Sequence, residues 1–121
     1  VKVRPVEGLH AIDYLAESPL AKKASYVFGH VINALIDVGY DTHNLQAAPY
    51  DWRIPPFALQ RRDGYFTRLK NLIQTSYDIN QQKVVLLAHS MGCRTVQYFL
   101  SWAANNFPGW IDEHVMSFLA M

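Results

Sequence analysis

Cys93 is the only cysteine in the chain. An internal disulfide framework and a cysteine-rich zinc site are therefore excluded, while one thiol leaves the redox compartment open. Long apolar runs are missing as well. None approaches the ~18 residues of a membrane span, and the N-terminal residues do not follow a signal-peptide pattern. Charge is scarce: 17% of residues are charged, and the formal net charge is +1. Basic residues are scattered, with Lys22-Lys23 and Arg61-Arg62 the only adjacent pairs. Such a balance predicts no nucleic-acid binding and no steering toward acidic partners. His10, His30 and His43 lie far apart without metal-ligand spacing, so no metal is expected, and they read as structural or surface residues. Internal repeats, low-complexity segments and interdomain linkers are absent too.

Half of the 121 residues are hydrophobic. That suits one domain at most, with a sizeable core, and not a disordered tail. The chain opens on Val1 and closes on Met121 inside an apolar stretch, which reads as a partial domain over residues 1–121, cut at both ends.

The apolar pattern alternates between strand and helix. Val1 to Pro5 predicts a short strand, and Ser18-Pro19 a helix start. Phe28, Val31, Leu35 and Val38 recur at helical spacing, with Gly39 placed to stop the helix. Thr42 to Pro49 predicts a second strand, and Ile54-Pro55-Pro56 a loop. Phe66, Leu69, Leu72, Ile73 and Tyr77 predict a helix over about 59–77, with Gly64 as its weak point. A polar turn at Asn80-Gln81-Gln82 leads to a strand from Lys83. Val96, Phe99, Leu100 and Ala103 mark a further helix, ended by Pro108-Gly109, and His114 to Met121 reads as a last strand. The fold class is α/β: parallel strands with helices on the sheet faces. Ligands then gather at the carboxyl ends of the strands, where Ser90 and residues 50–53 fall.

Chemistry concentrates in Lys83 to Arg94, KVVLLAHSMGCR. Val84 to Leu87 reads as a strand buried on both faces, and the reversal into the next helix leaves Ser90 at a sharp corner. Such a corner needs small residues two before and two after the serine, and Ala88 and Gly92 occupy those positions. This is the strand–serine–helix arrangement usually written G-x-S-x-G, with alanine at its first small position. Two roles fit Ser90. It is a nucleophile whose neighbour Met91 aims a backbone N–H at a developing oxyanion, or a turn serine that caps the helix. His89 lines or supports the corner and is not expected to be the base. Asp112 and His114, two residues apart, read as a solvated turn rather than as catalytic partners. Asp51 and Arg53, two apart, suit either a mutual pair or charge-assisted hydrogen bonds that hold a nearby loop. Trp52 fits either a lipid-facing surface or a core aromatic at a strand end, and Cys93 fits helix packing ahead of lining the site.

At Ala48 to Arg53 (APYDWR) and Ala88 to Gly92 (AHSMG) the chain resembles the lecithin:cholesterol acyltransferase family, and within it the phospholipid:diacylglycerol and phospholipid:sterol acyltransferase branch. Val6 to His10, Arg62 to Phe66, Tyr98 to Trp102 and Trp110 to His114 are similar to that branch as well. The resemblance implies a fragment of an α/β-hydrolase fold with a nucleophile elbow at Ser90, acting on a glycerophospholipid without a cofactor. It implies transfer of the acyl group to diacylglycerol or a sterol, at the endoplasmic reticulum or another membrane surface. Ser90 carries over as nucleophile and Met91 as oxyanion donor, with Asp51, Trp52, Arg53, His89 and Gly92 as supporting residues. The catalytic Asp and His are expected beyond residue 121, and a second oxyanion donor before residue 1. A phospholipase or lipase using the same serine, and a non-catalytic lipid-binding relative, are the alternatives. The isolated segment is expected to be inactive and, through cut sheet edges, prone to aggregate.

Overall fold

The computed structural model describes residues 8–13 and 28–121. The expected strand at Val1 to Pro5 and the helix start at Ser18-Pro19 lie outside the described residues. The chain divides into two compact units, Val1–Asp51 and Trp52–Met121.

In the first unit, α1 (His10–Asp13) is a single turn and α2 (Gly29–Asp37) is the helix expected there. Its stop is at Gly39, whose φ of +104° is open to a residue without Cβ. Gly39 N donates to Ile36 O (2.9 Å) and Tyr40 N to Leu35 O (3.0 Å), a Schellman ending that satisfies two otherwise orphaned carbonyls. The strand expected at Thr42 to Pro49 does not form: no strand lies between α2 and Trp52. Asp41 turns the backbone on itself instead. Its carboxylate accepts from His43 N (2.8 Å), and its carbonyl from Leu45 N (2.8 Å). Residues 45–49 then have no ladder partner among the described residues, and alternation without a partner makes no strand. The His43 amide holds the Asp41 carboxyl below the usual carboxylate range.

The second unit begins with α3 (Pro56–Asp63) and α4 (Tyr65–Asn80) where one helix was expected. The break is Gly64, in the left-handed region at φ +62°. Gly64 has no side chain to cap α4, and Gln60 of α3 does so from across the break. Its Oε1 accepts from Thr67 N (3.1 Å) and its Nε2 donates to Thr67 Oγ1 (2.7 Å). Arg68 donates to the last carbonyl of α3, Asp63 O (3.0 Å). Both ends at the break are thus satisfied, which explains why the helix divides cleanly rather than fraying.

β1 (Val84–Ala88), α5 (Met91–Asn106), α6 (Trp110–His114) and β2 (Val115–Ala120) complete the chain. β1 and β2 pair in parallel, from Val84↔Val115 to Ala88↔Ala120, with the register shifted once after Val84. The architecture is α/β, as expected. Leu86 and Ala88 of β1 are buried while Val85 is exposed, so the strand is not closed on both faces among the described residues. α4 and α5 both pack on β1.

An aromatic cluster ties α4, α5 and α6 together. Phe66 and Phe99 are fully buried, 6.1 Å apart between ring centroids. Phe66 also meets Trp102 (5.7 Å), and Phe99 meets Trp110 edge-on (6.3 Å). The turn expected at Asp112–His114 is replaced by α6, and His114 is buried at 3% exposure. Its ring stacks on Trp110 (4.8 Å) and packs against Tyr77 (4.7 Å), and Nδ1 is 2.8 Å from Trp110 O. Aromatic packing from α4, distant in sequence, buries this histidine.

Removing the ring at the centre of the cluster leaves a cavity that helices on three sides cannot close. Phe99→Ala is expected to destabilise the protein by about 3–5 kcal/mol, measured by denaturant unfolding of the intact protein.

Candidate functional site: the corner between the first strand and the fifth helix

Ser90 lies between the end of β1 and the first residue of α5, with φ +53° and ψ −121°. An L-residue reaches this conformation only under strain, of order 1–3 kcal/mol. Hydrogen bonds from the neighbouring strand hold it. Met121, just past β2, donates its N–H to Ala88 O (2.8 Å), and Ser90 donates its N–H to Met121 O (2.9 Å). The parallel ladder therefore runs one step beyond both strands and ends on the serine.

The helix closes onto the strand end at once. Gly92 N donates to His89 O (2.9 Å) and Cys93 N to Ser90 O (3.0 Å), so the first turn of α5 is tighter than an ordinary α-turn. Cys93 Sγ comes within 3.4 Å of Ala88 O and 3.7 Å of Met121 O. A side chain larger than alanine at position 88 would have to share this crowded, buried spot.

Ser90 occupies the N-cap position of α5 but makes no side-chain capping bond. Its backbone lies outside the extended region that a capping serine uses, so the hydroxyl is not aimed at the N–H groups of the helix. Ser90 is exposed. The Met91 N–H makes no hydrogen bond among the described residues. An exposed hydroxyl thus sits beside an unpaired N–H at the positive end of a 16-residue helix. Such an arrangement has the elements that attack on an electrophile requires, a hydroxyl and a nearby donor for developing negative charge.

The other residues singled out in the sequence fall as follows. His89 is half-buried between β1 and Ser90, and Gly92 is half-buried in the first turn of α5. Asp51 is buried at the end of the first unit, and Arg53 is exposed near the start of the second. Trp52 is 68% exposed, which sets aside a core aromatic at a strand end. His114 precedes the residue paired with Val84, at the opposite end of β2 from Met121. At ~3.3 Å per residue, six residues of extended chain put it about 20 Å from Ser90. The Asp112–His114 pair and the serine are therefore not brought together. His30 and His43 are exposed, and no metal-binding cluster of His, Cys, Asp or Glu occurs among the described residues. Met121 is the residue that sequence reading missed. Parallel pairing of β1 with β2 would have pointed to it, since it lies level with the serine corner.

A family model described as lecithin:cholesterol acyltransferase matches residues 1–121. The chain is 33% identical to a phospholipid:diacylglycerol acyltransferase of Schizosaccharomyces pombe, covering 98% of this chain and 19% of that protein. It is 32% identical to a phospholipid–sterol O-acyltransferase of Arabidopsis thaliana, over 99% of this chain and 20% of the relative. Identity is 37% to a phosphatidylcholine-sterol acyltransferase of Gallus gallus, over 93% and 25%. The chain thus spans about a fifth to a quarter of the length of these relatives.

Strain at position 90 has a measurable signature. Glycine adopts this conformation without the penalty of a Cβ, so Ser90→Gly is expected to be about 1 kcal/mol more stable than Ser90→Ala. Thermal unfolding of the two intact variants checks this, and equal melting temperatures would remove the strain from the account.

Proposed function

The chain belongs to the lecithin:cholesterol acyltransferase family, and on that premise we propose that the intact protein is a phospholipid O-acyltransferase with Ser90 as its nucleophile. Its substrates are a glycerophospholipid donor and a diacylglycerol or sterol acceptor, met at the endoplasmic reticulum or another membrane surface. One observation carries the reading: Ser90 is held at φ +53° between strand and helix, its hydroxyl making no capping bond. On this reading the corner is the nucleophile elbow of an α/β-hydrolase fold.

The chemistry follows from the positions of the atoms. Ser90 Oγ forms a bond to the acyl carbonyl carbon and gives its proton to a base. The carbonyl π electrons move onto oxygen, where the Met91 N–H and the end of α5 stabilise the charge. Collapse of this intermediate breaks the ester C–O bond. A lysophospholipid departs with the proton, and an acyl-serine remains. The acceptor hydroxyl then attacks the acyl-serine and releases Ser90. The base and its orienting carboxylate are assigned to the protein beyond residue 121, and a second oxyanion donor to the part before residue 1. His89 and Gly92 support the corner by shape, and a supporting role for Asp51, Trp52 and Arg53 rests on the family resemblance. No step requires a cofactor.

The test gives the intact protein acyl-labelled phosphatidylcholine, alone and with diacylglycerol or sterol. Labelled triacylglycerol or sterol ester is expected, lost by about 10⁴-fold or more in Ser90→Ala. Free fatty acid alone under every condition would make the protein a hydrolase. A full-length protein that a serine-directed fluorophosphonate does not label would remove Ser90 as nucleophile.

A further inference from the structure

A carbonyl attacked by Ser90 Oγ and received by the Met91 N–H has its position fixed, and with it the position of its two substituents. One hydrogen bond of about 2.9 Å and one carbonyl bond of about 1.2 Å separate the reacting carbon from the Met91 nitrogen. The atoms attached to that carbon therefore begin within reach of the Met91 side chain. Met91 is the first residue of α5. Side chains on a helix lean toward its N-terminus, and from a first residue that direction leads past the helix end, to the corner where Ser90 stands. The Met91 side chain is 46% exposed, so it is not spent on the core that Thr95, Phe99 and Ala103 of the same helix enter.

The strand end and first turn around Met91 carry no full charge: no Asp, Glu, Lys or Arg lies between Lys83 and Arg94. Arg94, one turn into α5, holds its guanidinium 3.4 Å from Gln97 Oε1, further along the helix. Of the two substituents on the scissile carbonyl of a glycerophospholipid, one is a hydrocarbon chain and the other leads to a polar glycerol phosphate. A thioether is uncharged and accepts hydrogen bonds only weakly. It gains by burial against the hydrocarbon and offers little to the phosphate.

We infer that the Met91 side chain is a specificity-determining contact for the acyl chain, packing on the carbons that follow the scissile carbonyl. The residue then has two separate parts in the reaction. Its N–H meets the carbonyl oxygen, and its thioether meets the hydrocarbon. Methionine is unbranched and flexible, so the contact follows acyl chains of differing shape. The inference rests on the acyltransferase reading only for Ser90 as nucleophile, and it holds whichever acceptor takes the acyl group.

The experiment compares the rates at which methyl and dodecyl fluorophosphonates label Ser90 of the intact protein, the alkyl group on phosphorus standing where the acyl chain would. Ser90 Oγ bonds to phosphorus, fluoride departs, and the hydroxyl proton goes to the base. The wild-type protein is expected to react faster with the dodecyl probe. Met91→Ala keeps the backbone N–H and should lower the dodecyl-to-methyl rate ratio about ten-fold, the order set by burial of one side chain of this size. Met91→Leu, of similar volume, should keep most of the ratio. Met91→Gln, as long but polar, should lower it, and carries the test if circular dichroism shows the alanine protein unfolded. Met116→Ala removes a methionine that is 62% exposed near the far end of β2 and should leave the ratio unchanged. No chain-length preference in the wild type, or an unchanged ratio in folded Met91→Ala and Met91→Gln proteins, would overturn the inference while Ser90 stayed labelled as nucleophile. Failure of both probes to label Ser90 would instead remove the nucleophile, and this contact with it.

Discussion

The backbone hydrogen bond from Ser90 N–H to Met121 O (2.9 Å) is the constraint on which the site depends. A serine at φ +53° and ψ −121° is strained, and it persists only where its surroundings over-determine it. Here a parallel neighbour does so. β2 runs beside β1, continues one residue beyond it, and fixes the amide of the residue at the corner. Helix α5 can then start without a gap, with its first N–H left outside the ladder. Small size at Ala88 and Gly92 is the steric counterpart of this closure. Behind the strands, the Phe66–Phe99–Trp110 cluster keeps α4, α5 and α6 in the positions that make it possible.

The site-bearing elements were legible in the sequence because local pattern and tertiary fate agree there. Val84 to Ala88, the apolar stripe through Phe99 and Ala103, and the last strand from Val115 each carry the period of the structure they adopt. Gly39 marks the end of α2 because only a residue without Cβ settles easily at φ +104°. Agreement ends where a distant partner decides the outcome. Thr42 to Pro49 alternates like a strand, but Asp41 captures the backbone N–H of His43, and no ladder partner exists among the described residues.

Gly64 shows the same limit. Its presence in a helical pattern signals weakness, yet whether the helix bends, frays or divides depends on Gln60 reaching Thr67. His114 looked like part of a solvated turn because its immediate neighbours are charged. The rings that enclose it come from Tyr77 and Trp110, and only tertiary contact brings Tyr77 there. The position of Ser90 and Met91 at the strand–helix corner was readable from residue type and spacing. The role of the Met121 carbonyl was not, because register between strands 31 positions apart is a property of the fold.

That separation also sets an order of assembly. Closing a loop of this length costs about 3 kcal/mol of chain entropy. Packing of the crossover helices α5 and α6 shortens that search and offsets part of the cost. On a ribosome releasing the chain from its N-terminus, β1 and α5 emerge first, and Ser90 then has no reason to leave a relaxed backbone conformation. The serine takes its strained position only when β2 has docked alongside. A chain in which β2 has not docked thus carries an ordinary turn serine, and the strained corner arises together with the surrounding sheet.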